Sequence, residues 1–95
     1  MKYLAVLNYV EKDMAKLAKK SQEYDETKGK DPDKYPNVLF DAHVMCKGRK
    51  GFAVWEGDEG QVARKVAFML PEVEYTLIPV IDAGKFLQIY MEVKK

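Results

Sequence analysis

The sequence predicts an α+β fold in which helices cover one face of an antiparallel sheet, and three observations predict it. Two strand-like segments, one at the start of the chain and one near its end, are apolar at both alternating positions, which is typical of strands covered on both faces. Residues 37–56 have the pattern of a β-hairpin. A stretch with helical spacing lies on each side of that hairpin.

The first strand and helix are followed by a break. Residues 2–10 are rich in β-branched and aromatic side chains, as in a central strand. From Glu11 to about Tyr24 the spacing is helical, with an apolar stripe formed by Met14, Leu17, Ala18 and Ser21. Residues 27–36 contain one glycine and two prolines, which predicts a loop. That loop is either a flexible lid over a site or a plain solvated connection.

The hairpin alternates with period two. One side is uniformly apolar and consists of Val38, Phe40, Ala42, Val44 and Cys46. The other side is half polar and consists of Leu39, Asp41, His43 and Met45. Gly48 and Arg49 suit a two-residue type II′ turn, with glycine at the position that needs positive φ.

The second half of the chain repeats the pattern of helix and strand. Asp58 and Gln61 predict a capping box before a helix whose apolar side is formed by Val62, Val66, Met69 and Leu70, and Pro71 ends that helix. Residues 73–81 predict a fourth strand, in which Pro79 indicates an edge or a bulge. Asp82 caps a last short helix with an apolar stripe formed by Phe86, Ile89, Tyr90 and Val93.

This order of elements, β-α-β-β-α-β with an extra C-terminal helix, is the ferredoxin-like arrangement of a four-stranded antiparallel sheet with two helices on one face. The chain of 95 residues forms one domain, residues 1–95. Two helices leave the second face of an apolar sheet uncovered, which is unusual for a monomer. We therefore expect a homodimer, or a higher oligomer, formed sheet against sheet. The last helix could instead fold over the open face or reach across to the partner.

Composition narrows the function classes. The hydrophobic share of 47% is that of a globular protein. A net charge of +1 weighs against nucleic acid as a partner. The single cysteine excludes an intrachain disulfide and fits a reducing compartment. The short apolar start of the chain lacks the features of a signal peptide, and no segment has the roughly 20 apolar residues of a membrane span. These observations predict a cytoplasmic protein with no membrane partner.

The hairpin register selects the candidate site. A turn at Gly48 and Arg49 places His43 opposite Val54 and Asp41 opposite Glu56, so that His43, Asp41 and Glu56 share the open face while Trp55 and Ala42 face the helices. A three-residue loop would instead place His43 opposite Trp55 and send Glu56 to the other face. A neighbouring carboxylate raises the pKa of a histidine and sets its tautomer, as a general base requires. The alternative is a histidine that serves structure at an interface.

Other residues offer weaker signals. Tyr3 and Tyr75 are ligand-binding candidates, because strand tyrosines can line a pocket for a planar molecule. No spacing typical of a metal site occurs and no cofactor is implied. Cys46 is expected to be a small buried hydrophobe, and residues 47–51 form a solvated turn rather than a P-loop. Residues 50–55 match an RNA-recognition strand in part, but Val54 replaces the stacking aromatic.

The segments MKYLAVLNYV, FDAHVMCKGRKGFAVWE and YTLIPVID, together with the capped helix, resemble an uncharacterised domain family of the dimeric α+β barrel superfamily. The resemblance implies a ferredoxin-like fold, a dimer formed through the sheets and a cavity. No catalytic set of the superfamily maps onto this chain. We expect a protein that binds a small apolar or aromatic molecule near His43; the alternative is a non-enzymatic interaction or effector-sensing module whose open face serves only dimerisation.

Overall fold

The computed structural model describes residues 1–95 and arranges four strands in one antiparallel sheet. The elements are β1 (Lys2–Tyr9), α1 (Met14–Lys30), β2 (Asn37–Val44), β3 (Lys50–Glu56), α2 (Glu59–Met69), β4 (Val73–Val80) and α3 (Ala83–Val93), with a short 3₁₀ turn at Pro32–Lys34. The strand order is β2-β3-β1-β4. The predicted ferredoxin-like fold with an extra C-terminal helix is confirmed.

The two faces of the sheet have different surroundings. The covered face, which carries Ala5, Leu7 and Trp55, packs beneath α1 and α2 and forms the core. Its partners on the helices are the buried residues Leu17, Tyr24, Val62 and Met69. The open face is formed by the alternate residues of the same strands, such as Val6 and Phe52, which pair across β1 and β3. No helix packs on the open face, since α1 and α2 both lie on the other side.

Several local predictions are confirmed. The Asp58 carboxylate accepts a hydrogen bond from the backbone N–H of Gln61 at 2.8 Å, and the Gln61 side chain accepts one from the Asp58 N–H at 2.9 Å. Asp82 caps α3 by accepting from the Lys85 N–H at 3.1 Å. Pro79 lies in β4, which is an edge strand. A proline is tolerated there because an edge strand has N–H groups that need no ladder partner.

Helix α1 is longer than predicted. It begins at Met14, after an Asp13 cap, and continues through Gly29 to Lys30, so residues 27–30 do not belong to a loop. Thr27 donates its hydroxyl to the Glu23 carbonyl at 2.8 Å, and Lys28 donates to the Pro36 carbonyl at 2.9 Å. These bonds, and lysines near the helix C-terminus, outweigh the roughly 1 kcal/mol cost of one glycine in a helix.

The predicted hairpin register is wrong. The turn consists of residues 45–49, not two residues, and His43 pairs with Phe52 rather than Val54, while Glu56 pairs with Asn37 rather than Asp41. Gly48 does have positive φ, at 83°, but Arg49 follows it at 53°. The register also shifts between Val38 and Phe40 and between Phe40 and His43, so β2 contains extra residues that interrupt its alternation.

Candidate ligand-binding site

A cavity of about 240 Å³ lies between the covered face and the two helices above it. Trp55 of β3 and Tyr75 of β4 form part of its floor, and Tyr24 of α1 and Lys65 of α2 close it from above. Asp41 of the edge strand β2 lines one side. The lining of the cavity is largely apolar, with four aromatic side chains and a few polar groups, which is the usual composition of a small-molecule site.

Lys65 is the most unusual residue of this cavity. Its Nζ lies 4.5 Å from the ring centroid of Trp55 and 4.6 Å from that of Tyr24, within the range of cation–π interactions. The amine makes neither a hydrogen bond nor a salt bridge within the chain, whose ion pairs join Lys20 to Glu72 and Lys34 to Asp31. Its donors are therefore free to meet a ligand.

Burial changes the acidity of Lys65. Loss of solvent lowers its pKa from 10.5 to about 8, and the charge of Lys28 lowers it further, while Asp25 and Asp41 act in the opposite direction. Burial affects the Lys65 pKa more than the two carboxylates do, because Asp25 and Asp41 do not contact the amine directly and the charge of Lys28 offsets theirs. The amine thus changes charge closer to neutral pH than an exposed lysine does.

The aromatic wall is well packed. The Trp55 and Tyr75 rings lie 4.9 Å apart, and the Tyr24 ring makes edge contacts with Tyr35 at 5.3 Å and Phe68 at 5.5 Å. The Tyr24 hydroxyl is buried and has no hydrogen-bond partner. Burial raises the pKa of both Tyr24 and Tyr75, so both phenols stay protonated at neutral pH. A buried hydroxyl without a partner is a second polar group that a ligand can satisfy.

Two of the predicted ligand-binding residues line this cavity, and three do not. Asp41 and Tyr75 line it. Tyr3 lies on the covered face opposite Trp55 and is partly buried against the core, outside the cavity. His43 and Glu56 also lie outside it, on the open face.

The proposed cluster of His43 with Asp41 and Glu56 is not present. The bulge in β2 places Asp41 on the side of the cavity, while His43 faces the opposite way. His43 Nδ1 donates a hydrogen bond to the Asp41 backbone carbonyl at 2.7 Å, since that carbonyl can only accept. Its ring stacks on Phe40 at 4.4 Å between centroids. Glu56 lies opposite Lys2, far along the strand from His43.

The hairpin turn differs from expectation at its cysteine. Cys46 is exposed in the turn, not buried, because the turn begins three residues earlier than predicted. Arg49 donates hydrogen bonds to the backbone carbonyls of Tyr9 and Glu11, which ties the turn to the end of β1. No three His, Cys, Asp or Glu side chains lie close enough together to hold a metal ion.

Sequence reasoning missed Lys65 and the part that Tyr24 has in the cavity. A signal for Lys65 was present: it lies three residues after Val62 and four before Met69, inside the apolar stripe of α2. A lysine at such a position must either extend its amine to solvent or enter the core. Tyr24 follows Leu17 by seven residues and lies on the same side of α1.

None of the helices is long and apolar enough to span a bilayer. Comparison of the chain with protein-family models, with curated proteins and with solved structures gives no match.

Proposed function

We propose that the protein binds a small molecule, with an apolar or aromatic body and one acceptor group, in the cavity between the sheet and helices α1 and α2. The observation that supports this most directly is the Lys65 amine, enclosed by Trp55 and Tyr24 and without a hydrogen-bond partner. A carboxylate, phenolate or carbonyl oxygen would accept from that amine. The ligand's polar contact is thus Lys65, not His43, and the proposal includes no reaction.

The size of the cavity sets the size of the ligand. A dry engineered cavity of about 150 Å³ admits benzene, so about 240 Å³ suits one aromatic ring with a short substituent. Aromatic acids such as benzoate are the natural first probes, because the ring matches the Trp55 and Tyr75 walls and the carboxylate matches Lys65. Toluene, with the same ring and no acceptor, is the matched control ligand.

Trp55 makes the proposal easy to test, since it is the only tryptophan and it lines the cavity. We expect benzoate, or a small aromatic acid from a panel, to change Trp55 fluorescence saturably. Lys65→Met keeps the length of the side chain and removes its charge, and should weaken binding by about tenfold or more, because a charge-assisted hydrogen bond contributes roughly 1.5–3 kcal/mol. The affinity for toluene should be nearly the same in the unaltered protein and in the Lys65→Met variant.

Calorimetry should repeat these titrations, since removing an amine beside Trp55 changes its fluorescence without any ligand. His43→Ala is the control variant, because His43 lies on the opposite face of the sheet, and it should bind like the unaltered protein. Equal affinity of the Lys65→Met variant for aromatic acids, or no binding by any member of the panel, contradicts the proposal.

A second candidate is an interaction or effector-sensing module without enzymatic activity. The apolar open face favours it, because an uncovered sheet face is a surface for another macromolecule. This candidate would be favoured if the protein binds none of the small molecules but still assembles. In either case we propose a reducing, cytoplasmic setting, in which the exposed thiol of Cys46 stays reduced.

A further inference from the structure

The open face has the composition of an interface. Six apolar side chains lie together at its centre, in register across the four strands: Leu4, Val6, Phe40, Phe52, Val54 and Ile78. Phe40 and Ile78 at the two edges are more than two-fifths exposed, and the four others are half-buried. No helix packs on this patch, because α1 and α2 lie on the other face and every residue of α3 is exposed.

Charged residues border the patch at both ends of the strands. Lys2 and Glu56 pair across β1 and β3 at one end, and Lys50 and Glu74 both lie opposite Asn8 at the other. An apolar centre with a polar rim is the anatomy of a protein–protein interface.

Helix α3 is a second apolar surface without a partner. All six of its large apolar side chains are between 44% and 72% exposed: Phe86, Leu87, Ile89, Tyr90, Met91 and Val93. Every residue of the helix is exposed, so it does not pack against the rest of its own chain. Its polar residues Lys85, Gln88 and Glu92 share the opposite side. An isolated helix of 11 residues is marginal in water, and packing would stabilise it.

The total surface of the chain is larger than is typical of a folded monomer of its mass. It exposes 6934 Å², whereas a folded monomer of 10.9 kDa is expected to expose about 5,600 Å². The excess, roughly 1,300 Å², exceeds the about 800 Å² that each partner buries in a standard interface. The radius of gyration of 15.6 Å likewise exceeds the about 12 Å of a compact chain of this length.

We propose that a second copy of this chain covers the open face, with α3 of each protomer packed on the sheet of the other. A two-fold axis makes this exchange reciprocal, so one association covers both apolar surfaces of both chains. A second copy suits better than a membrane, because α3 carries only Lys85 and Glu92 on its polar side, without the cationic face of a membrane-surface helix. The proposal is independent of ligand binding in the cavity, which lies on the other side of the sheet.

Analytical ultracentrifugation tests the assembly. We expect a mass twice the 10.9 kDa of the chain. Ile89→Glu places a carboxylate on the apolar side of a helix that packs against nothing in its own chain, so the monomer should fold normally while the dimer dissociation constant rises by about a hundredfold or more. Gln88→Glu, the same charge one residue away on the polar side of α3, should leave the dimer intact.

Cross-linking tests the arrangement. In a Cys46→Ser background, chains with Ile89→Cys are mixed with chains with Ile78→Cys and oxidised under mild conditions. A cross-link between the two kinds of chain supports the exchange, and it should weaken when the Ile78→Cys chain also carries Ile89→Glu.

Four outcomes overturn the proposal. The first two are a monomer at all concentrations and a dimer whose dissociation constant does not change with Ile89→Glu. The third is a cross-link within one chain, when a single chain carries both Ile78→Cys and Ile89→Cys. The fourth is a monomer whose α3 binds lipid vesicles. The third would mean that α3 folds back over its own sheet. Circular dichroism of each variant confirms that loss of the dimer is not loss of the fold.

Discussion

The two faces of one sheet use similar residues in opposite ways. On the covered face, Trp55 is buried against helices and still borders a cavity. On the open face, Phe40 and Phe52 stack parallel to each other at 5.8 Å with no layer above them. Aromatic content alone therefore does not distinguish a covered face from an uncovered one. The helices do, because α1 and α2 turn one face into the interior and leave the other without a covering layer.

The largest expected effect is a difference in the free energy of unfolding between substitutions on the covered face and on the open face. Trp55→Ala should lower the free energy of unfolding by about 3–5 kcal/mol, because it removes a fully buried ring. Phe40→Ala should cost about 1 kcal/mol or less, since Phe40 is 42% exposed and no helix packs on its face of the sheet. Both free energies of unfolding are measured by urea denaturation in the Ile89→Glu background, so that dimer dissociation does not contribute to them. Equal losses would mean that the faces are not different in packing.

A pH effect belongs to the covered face alone. Lys65 has its pKa lowered to about 8 in the folded protein, so between pH 8 and 10 the unfolded chain binds more protons at this site and stability rises with pH. The rise is at most about 3 kcal/mol. Above pH 10 the raised pKa values of Tyr24 and Tyr75 act in the opposite direction and stability falls.

Urea denaturation at pH 7, 8, 9 and 10 measures this rise. Lys65→Met should abolish it and should make the protein more stable at pH 7, because no cation is then buried. Lys50→Met, at an exposed position, is the control and should retain the rise. A flat profile in the unaltered protein would show that the Lys65 amine is solvated.

The smallest expected effect compares two helix caps. Asp58→Ala should destabilise the protein by about 1 kcal/mol, since Asp58 caps α2, which covers the core. Asp82→Ala removes a similar cap from α3, but in the monomeric Ile89→Glu background it should lower helix content without changing the urea midpoint. A matching loss of stability from Asp82→Ala would mean that α3 packs on its own chain.

The fold was predictable because local signals agreed. Alternation, the Asp58 capping box and the edge position of Pro79 all pointed to the same order of elements. The end of α1 was not predictable from Gly29, because side-chain bonds from Thr27 and Lys28 extend that helix.

The site was less predictable because it depends on irregularities. A five-residue turn and two register shifts in β2 decide which face each side chain joins, and no alternation pattern encodes them. Asp41 therefore lines the cavity on the covered side, not the open face on which it was predicted. The dimer and the ligand stay predictions. The position of Lys65 shows that a charged residue inside the apolar stripe of a helix can indicate a residue that lines a cavity.

The irregular edges of the sheet have a consequence for solubility at high concentration. A regular, exposed edge strand is a template on which further chains can add without limit. Here β2 is distorted by its bulges, and β4, at the opposite edge, contains Pro79, which has no N–H to offer. These two irregular edges hinder further chains from adding their strands to the sheet. A sheet with an apolar face can therefore stay soluble at high concentration without forming fibrils.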